Sequence, residues 1–114
     1  MIKKRKKPVS LEPRSIKYLK EHNYLVADVR SYNYFGMRRN DLFGMFDLLA
    51  IKPDGIFVGV QVTSKPNVNA RVNKIRANAE VLARWLIKNE VVVHGWFKQN
   101  NRWQVLERMV GLDA

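Results

Sequence analysis

Residues 38–65 read RRNDLFGMFDLLAIKPDGIFVGVQVTSK and predict a β-hairpin that carries one carboxylate. Residues 46–51 and 57–62 are short apolar runs of strand-forming side chains, and residues 52–55 between them, Lys-Pro-Asp-Gly, have the composition of a turn. Asp47 lies inside the first apolar run. Because burial of an unpaired charge is costly, we expect a partner or a metal ion to compensate Asp47.

The second predicted strand ends in polar residues. Side chains alternate along a strand, so Gln61, Thr63 and, if the strand continues, Lys65 lie on one face. An aspartate that faces a short polar run on the neighbouring strand is typical of a divalent-metal nuclease site. The hairpin therefore predicts such a site around Asp47.

The 114-residue chain has a formal net charge of +11, and five of its positive charges fall in residues 3–7. An excess of this size favours polyanionic partners, of which nucleic acid is the commonest, although it also fits a solubilising surface. We expect residues 1–9 to be a basic disordered arm and residues 10–114 to be a single domain.

Cysteine is absent from the sequence, which excludes disulfides and thiolate zinc sites and is compatible with a reducing cytoplasm. No apolar run approaches the length of a membrane span, and no apolar signal core follows the basic N-terminus. We therefore expect a soluble protein without a membrane partner, located in the cytoplasm or, if phage-encoded, in that of the host cell.

The remaining pattern predicts two helices and three further strands around the hairpin. Ser10 is a candidate cap for a helix that ends near His22, and a strand over residues 24–29 follows it. Residues 70–89 show helical spacing of apolar side chains, and residues 91–98 and 103–109 read as strands. The predicted class is α/β, with a mixed five-stranded sheet and flanking helices.

Several side chains have more than one interpretation. Glu12 in the first helical turn either stabilises the helix dipole or belongs to the site. Asp41 is a second acid of the site, a loop cap or the partner of Arg39. We interpret His94 as a packed or hydrogen-bonded structural residue. We interpret Trp96 and Trp103 as core or cross-strand packing.

Residues 30–44 combine aromatic and basic side chains in a predicted loop. Rings stack on bases and cations bind phosphates, so this composition predicts a nucleic-acid contact, although it also fits a packed loop with a few exposed charges. The residues predicted to bind nucleic acid here and in the first turns of the following helix are Arg30, Tyr34, Arg38, Arg39, Arg71 and Lys74.

The order of elements resembles the PD-(D/E)XK nuclease superfamily over residues 12–105, and within it the archaeal-type Holliday junction resolvases and their phage counterparts. The resemblance is carried by Glu12 in the opening helix, Asp47 in FDLLAI, the turn KPDG and the polar cluster in GVQVTSK. It implies a restriction-endonuclease-like core of the order α-β-β-β-α-β-β. It also implies Mg²⁺, for which Mn²⁺ substitutes, held by Asp47, Gln61 and Glu12.

Two positions depart from the superfamily pattern. Gln61 stands where its glutamate is expected, and Thr63 stands where its lysine is expected. An amide can offer an oxygen to Mg²⁺ but lacks a negative charge, and a hydroxyl cannot replace a cation. Lys65 and Lys74 are the candidates to replace the lysine.

By resemblance, we expect a metal-dependent endodeoxyribonuclease that hydrolyses phosphodiester bonds in branched or junction DNA with little sequence preference. Catalysis would involve Asp47, Gln61, Thr63, Lys65 and Glu12, and the protein would act as a homodimer in DNA recombination, in keeping with a phage genome. The alternatives are a catalytically inactive nucleic-acid-binding module on the same fold and a structural or RNA-associated basic protein without a metal site.

Overall fold

The computed structural model describes residues 10–33 and 38–112, with the backbone alone for residues 32, 33, 38 and 39. The predicted arm, residues 1–9, lies outside the described residues. The elements are α1 (Glu12–Glu21), β1 (Leu25–Asp28), β2 (Ser31–Asn33), β3 (Arg38–Asn40), β4 (Leu48–Ile51), β5 (Phe57–Ser64), a 3₁₀ turn (Lys65–Asn67), α2 (Val68–Ala77), α3 (Ala79–Trp85), β6 (Glu90–Gln99) and β7 (Arg102–Met109).

Five strands form one mixed sheet in the order β1-β4-β5-β6-β7. Strands β5 and β6 are parallel, and each other neighbouring pair is antiparallel. The predicted mixed five-stranded sheet with flanking helices is therefore confirmed. The prediction of an unbroken loop over residues 30–44 is wrong in part, because β2 and β3 pair there as a separate antiparallel ladder.

Helices cover both faces of the sheet. Helix α1 packs its predicted apolar side, Leu11, Ile16 and Leu19, on one face, whose buried side chains are Leu48, Ala50, Val58, Val60, Val62, Val92 and Trp96. Helices α2 and α3 pack on the other face, in a cluster formed by Met45, Phe46, Val68, Val72, Ile75, Leu82, Val91, Val93 and Val110. Alternation along β5 therefore places Gln61 and Thr63 on the face that α2 covers.

The prediction of one helix over residues 70–89 is wrong. The chain enters α2 at Val68, leaves helical geometry at Asn78 (φ −87°, ψ 56°) and re-enters a helix at Ala79. Asparagine competes for its own backbone hydrogen bonds and favours helix boundaries, which explains the interruption. No helix within the described residues has the length and apolarity that a membrane crossing needs.

Ser10 does not cap α1. The residue before the helix is Leu11, which makes no side-chain cap, and the Ser10 hydroxyl instead donates to the Glu12 carboxylate at 2.7 Å. Both predicted turns are confirmed. Gly55 closes the first at φ +89°, and Asn100 and Asn101 have positive φ in the second, as a tight two-residue hairpin requires.

Candidate active site

Asp47 lies immediately before β4 in the middle of the sheet. Its backbone N–H donates to the Val60 carbonyl of β5 at 2.9 Å, and its own carbonyl accepts from Val29, just after β1, at 3.1 Å. Asp47 is 4% exposed. The backbone ladder therefore fixes Asp47 from both sides and directs its side chain into a buried environment.

The buried carboxylate is hydrogen-bonded to β5. Asp47 Oδ2 accepts a hydrogen bond from Gln61 Nε2 at 2.6 Å and another from the Val62 backbone N–H at 2.8 Å. Gln61 is 1% exposed, and its other polar atom, Oε1, is buried without a hydrogen-bond partner in the described part of the chain. A buried acceptor left unpaired costs about 1–3 kcal/mol, so this oxygen is suited to a cation or a water.

Asp41 joins this group through a tight reversal of the chain. Leu42 and Phe46 form an antiparallel bridge, and the turn between them has positive φ at Phe43 (55°) and Gly44 (67°). The reversal brings the Asp41 carboxyl group close enough to that of Asp47 to raise its pKa. Asp41 therefore lies beside Asp47 and is paired with Lys74, while the side chain of Arg39 lies outside the described part of the chain.

The neighbouring carboxyl groups perturb one another. Burial raises the pKa of Asp47 to about 7, and the contact with Asp41 and the charge of Glu12 act in the same direction, against the Val62 N–H. At about pH 7 the Asp47 carboxyl group is therefore close to half protonated, and a divalent cation would displace that proton.

Glu12 is near this group but has its own partners. One of its carboxylate oxygens is 3.3 Å from the Arg30 guanidinium, and the other accepts from Ser10. Arg30 is also 2.6 Å from Asp28, and this hydrogen bond and the Glu12 charge raise the pKa of Arg30. Glu12 therefore stands in an ion-pair network at the border of the site.

The predicted lysine replacements differ in position. The prediction that Lys65 continues the strand face of Gln61 is wrong, because β5 ends at Ser64 and Pro66 cannot continue the ladder. The Lys65 ammonium lies 4.5 Å from the centre of the Phe97 ring. Lys74 on α2 extends instead towards the acids, with its Nζ 3.5 Å from Asp41 Oδ2, while Thr63 is buried on β5 two residues beyond Gln61.

The predicted nucleic-acid-binding residues fall into three groups. Arg30 and Lys74 are ion-paired, so their charges are partly neutralised. Arg71 is half-buried on α2. Tyr34 lies outside the described residues, as do the side chains of Arg38 and Arg39.

A separate polar cluster lies under α1. His94 is fully buried, with Nδ1 2.9 Å from the Ser15 hydroxyl and Nε2 3.3 Å from Glu107, and the Trp96 indole donates to Ser15 at 2.8 Å. Burial lowers the pKa of His94, against the opposing effect of Glu107. The interpretation of His94 as a packed, hydrogen-bonded residue is confirmed. The sequence pattern offers one signal for Ser15, its position four residues before Leu19 on the buried side of the helix.

The side chains of Asp47, Asp41 and Gln61 are the candidate ligands for Mg²⁺ in this site. Among residues 10–33 and 38–112, no group of three or more His, Cys, Asp and Glu side chains has an arrangement that holds a metal ion. Mg²⁺ is commonly held by one or two carboxylates with waters and substrate phosphates as the other ligands. Asp47, Asp41 and the unpartnered Gln61 Oε1 are hard oxygen donors of this kind, so the donor chemistry fits Mg²⁺.

Comparison of the chain with protein-family models, curated proteins and solved structures gave no match. Any function assigned to it therefore depends on its own residues and their geometry.

Proposed function

We propose that the protein is a metal-dependent DNA endonuclease of the PD-(D/E)XK kind, structure-selective in the manner of a Holliday junction resolvase. The observation that carries the proposal is the buried Asp47 carboxylate bonded to Gln61, whose Oε1 has no partner in the described part of the chain. The strand order supports it. The mixed five-stranded sheet, with β5 and β6 parallel and helices on both faces, is the coarse architecture that such a core requires, with the β2–β3 ladder inserted between β1 and β4.

The residues that would hold Mg²⁺ are Asp47, Gln61 and Asp41, with Glu12 as a neighbouring charge. Gln61 removes a negative charge from the position of the superfamily glutamate. Asp41, which is close enough to Asp47 to raise its pKa, returns one from the preceding turn. When bound, Mg²⁺ supplies a water of lowered pKa and neutralises charge on the attacked phosphate. The buried Gln61 Nε2 keeps Asp47 oriented for this role.

Lys74 is the preferred replacement for the superfamily lysine. Its ammonium is 3.5 Å from Asp41 and its side chain is 48% exposed, so it can reach both the acids and a phosphate. Lys65, by contrast, packs over Phe97. We assign Lys74 the role of orienting the attacked phosphate or the water beside the acids.

The proposed partner is branched or junction DNA. The charge of +11 favours a polyanion, and phosphate contacts carry no base information, so we expect little sequence preference. A junction presents two symmetry-related strands, which fits a homodimer with two sites.

A cleavage assay tests the proposal. A four-way junction, a linear duplex, a flap and a single strand are incubated with the protein and Mg²⁺ or Mn²⁺, and with the metal omitted. We expect metal-dependent cleavage of the junction, abolished by Asp47→Asn, which keeps the shape of the side chain. Exposed Lys88 provides a control, since Lys88→Gln should cleave normally. Absence of cleavage with either metal contradicts the proposal.

One observation favours a second candidate, a catalytically inactive nucleic-acid-binding module. Gln61 already donates to Asp47, so the buried carboxylate has a protein partner without any cation. This candidate predicts junction binding by the wild type and by Asp47→Asn with equal affinity, and no cleavage by either. Cleavage that depends on Asp47 eliminates it.

A further inference from the structure

Two cations, Arg14 and Lys98, lie beside the indole of Trp103 and take no part in the ion pairs of the acidic site. The Arg14 guanidinium carbon is 4.2 Å from the Trp103 ring centre, and the Lys98 ammonium is 5.2 Å from it. Neither cation forms an ion pair with an acid in the described part of the chain. We call Arg14, Lys98 and Trp103 the Trp103 surface.

A cleft opens beside this surface. It has a volume of about 270 Å³ and lies between α1 and the strands β6 and β7, lined by Arg14, Lys17, Tyr18, Glu21, Trp96 and Trp103. Arg14 Nε is buried there without a hydrogen-bond partner among the described residues. Lys98 adds a third cation at the rim. The acids are Glu21 of the lining and Glu107, which accepts from Tyr18, so three cations face two acids.

The Trp103 surface lies at the same end of the sheet as the acidic site, on the face that α1 covers, whereas Gln61 and Thr63 face α2. Arg14 is in the first turn of α1, two residues after Glu12. On the sheet, Ser64 at the end of the site strand pairs with Trp96, and Lys98 pairs with Trp103. A strand bound at this surface would therefore lie near Glu12 and at the same end of the sheet as the acids, but on the opposite face from Gln61.

We propose that the Trp103 surface binds one strand of nucleic acid, with Arg14 and Lys98 on its phosphates and Trp103 contacting a base. Surfaces that bind single strands without sequence preference combine cations with aromatic rings in this way. A guanidinium stacked on an indole keeps the N–H groups at its edge directed outwards, where they can bind phosphate oxygens. Tyr34 and its neighbours, predicted for this role from the sequence, are not required for it.

This inference goes beyond the proposed cleavage site, because it names a second surface that would hold a nucleic-acid strand, and it rests on the proposed function for its biological meaning. Binding alone does not need the metal or the cleavage step. The experiment is therefore done without metal and repeated in Asp47→Asn. Failure of cleavage and failure of strand binding are then separate results.

The test is the salt dependence of binding to a labelled oligothymidylate, measured by fluorescence anisotropy. Each phosphate contact on a single strand contributes about 0.7 to the slope of log K against log salt. The double variant Arg14→Gln with Lys98→Gln should lower that slope by about 1.4, and Trp103→Leu should weaken binding about tenfold with the slope kept.

Charge-preserving and remote variants are the controls. Arg14→Lys with Lys98→Arg should keep the wild-type slope, and Lys88→Gln should change neither slope nor affinity. If Arg14→Gln fails to fold by circular dichroism, the exposed Lys98→Gln alone carries the test, with a slope lowered by about 0.7. The proposal is overturned if every variant, controls included, loses binding to the same extent, or if the wild type does not bind the oligothymidylate. It is also overturned if the protein prefers a duplex to the single strand and that preference depends on Arg14 and Lys98 in the same way.

Discussion

Gln61→Glu is the substitution that separates a metal site from a buried hydrogen bond. In the wild type, the Gln61 amide donates to the Asp47 carboxylate, and both side chains are almost completely buried. A glutamate at this position loses the donor and brings a second carboxylate against the first. We expect the variant to be unstable without metal and to recover when a divalent cation binds.

The size of the effect follows from the proton that the variant must hold. Keeping a glutamic acid protonated at pH 7 costs about 4 kcal/mol, because pH 7 is about 2.7 units above its ordinary pKa and each unit is about 1.4 kcal/mol. At pH 5 the same cost is about 1 kcal/mol. The free energy of unfolding without metal should therefore fall by about 2–4 kcal/mol at pH 7 and by about 1 kcal/mol at pH 5.

The assay is urea unfolding at both pH values, with and without Mn²⁺. A concentration of Mn²⁺ near 100 times its Kd should return about 2.7 kcal/mol to the variant. Two matched controls are Gln61→Met, which loses the hydrogen bond at every pH and gains no metal ligand, and Gln104→Glu, an exposed change on β7 that should have no effect. A pH-independent loss of stability, or a variant that Mn²⁺ does not stabilise, would refute the reasoning.

Three further predictions concern stability. The pKa of Asp47 is raised to about 7, so the folded state keeps a proton that the unfolded chain loses near pH 4. The free energy of unfolding without metal should therefore fall by up to about 4 kcal/mol as the pH rises from about 4 to 7. Urea titrations across that range should show this slope in the wild type and not in Asp47→Asn. Gly95→Ala should cost about 1–3 kcal/mol in thermal unfolding, because a Cβ there overlaps the Val68 side chain, whereas an unchanged melting temperature would contradict this packing. Ser15→Ala should cost about 1–3 kcal/mol, because the buried Trp96 indole loses its acceptor, and an indole fluorescence spectrum like that of the wild type would argue against the role given to Ser15.

The hairpin, the mixed sheet and the contact between Asp47 and Gln61 could be predicted because they depend on local patterns. Alternation places Gln61 on one strand face, and the Lys-Pro-Asp-Gly turn sets the register of the two strands. The partners of Asp41 could not be predicted, because the turn that returns it to Asp47 needs positive φ at Phe43, a conformation that sequence pattern does not favour for a bulky residue.

The positions of the cations depend on tertiary contacts in the same way. Lys65 belongs to the strand pattern until Pro66 ends it, and Lys74 reaches Asp41 across 33 residues of sequence. Arg30 carries a positive charge in the sequence, but in the fold Asp28 and Glu12 neutralise it. Charge composition therefore predicts a class of partner, while the surface that meets the partner is set by which cations remain unpaired.

The most direct test of the central claim is calorimetric titration of Mn²⁺ into the metal-free protein above pH 7, where Asp47 is ionised. We expect one binding site per chain in the wild type, lost in Asp47→Asn and retained in the Lys88→Gln control. A titration without binding heat, together with an unchanged unfolding free energy in Mn²⁺, would contradict it.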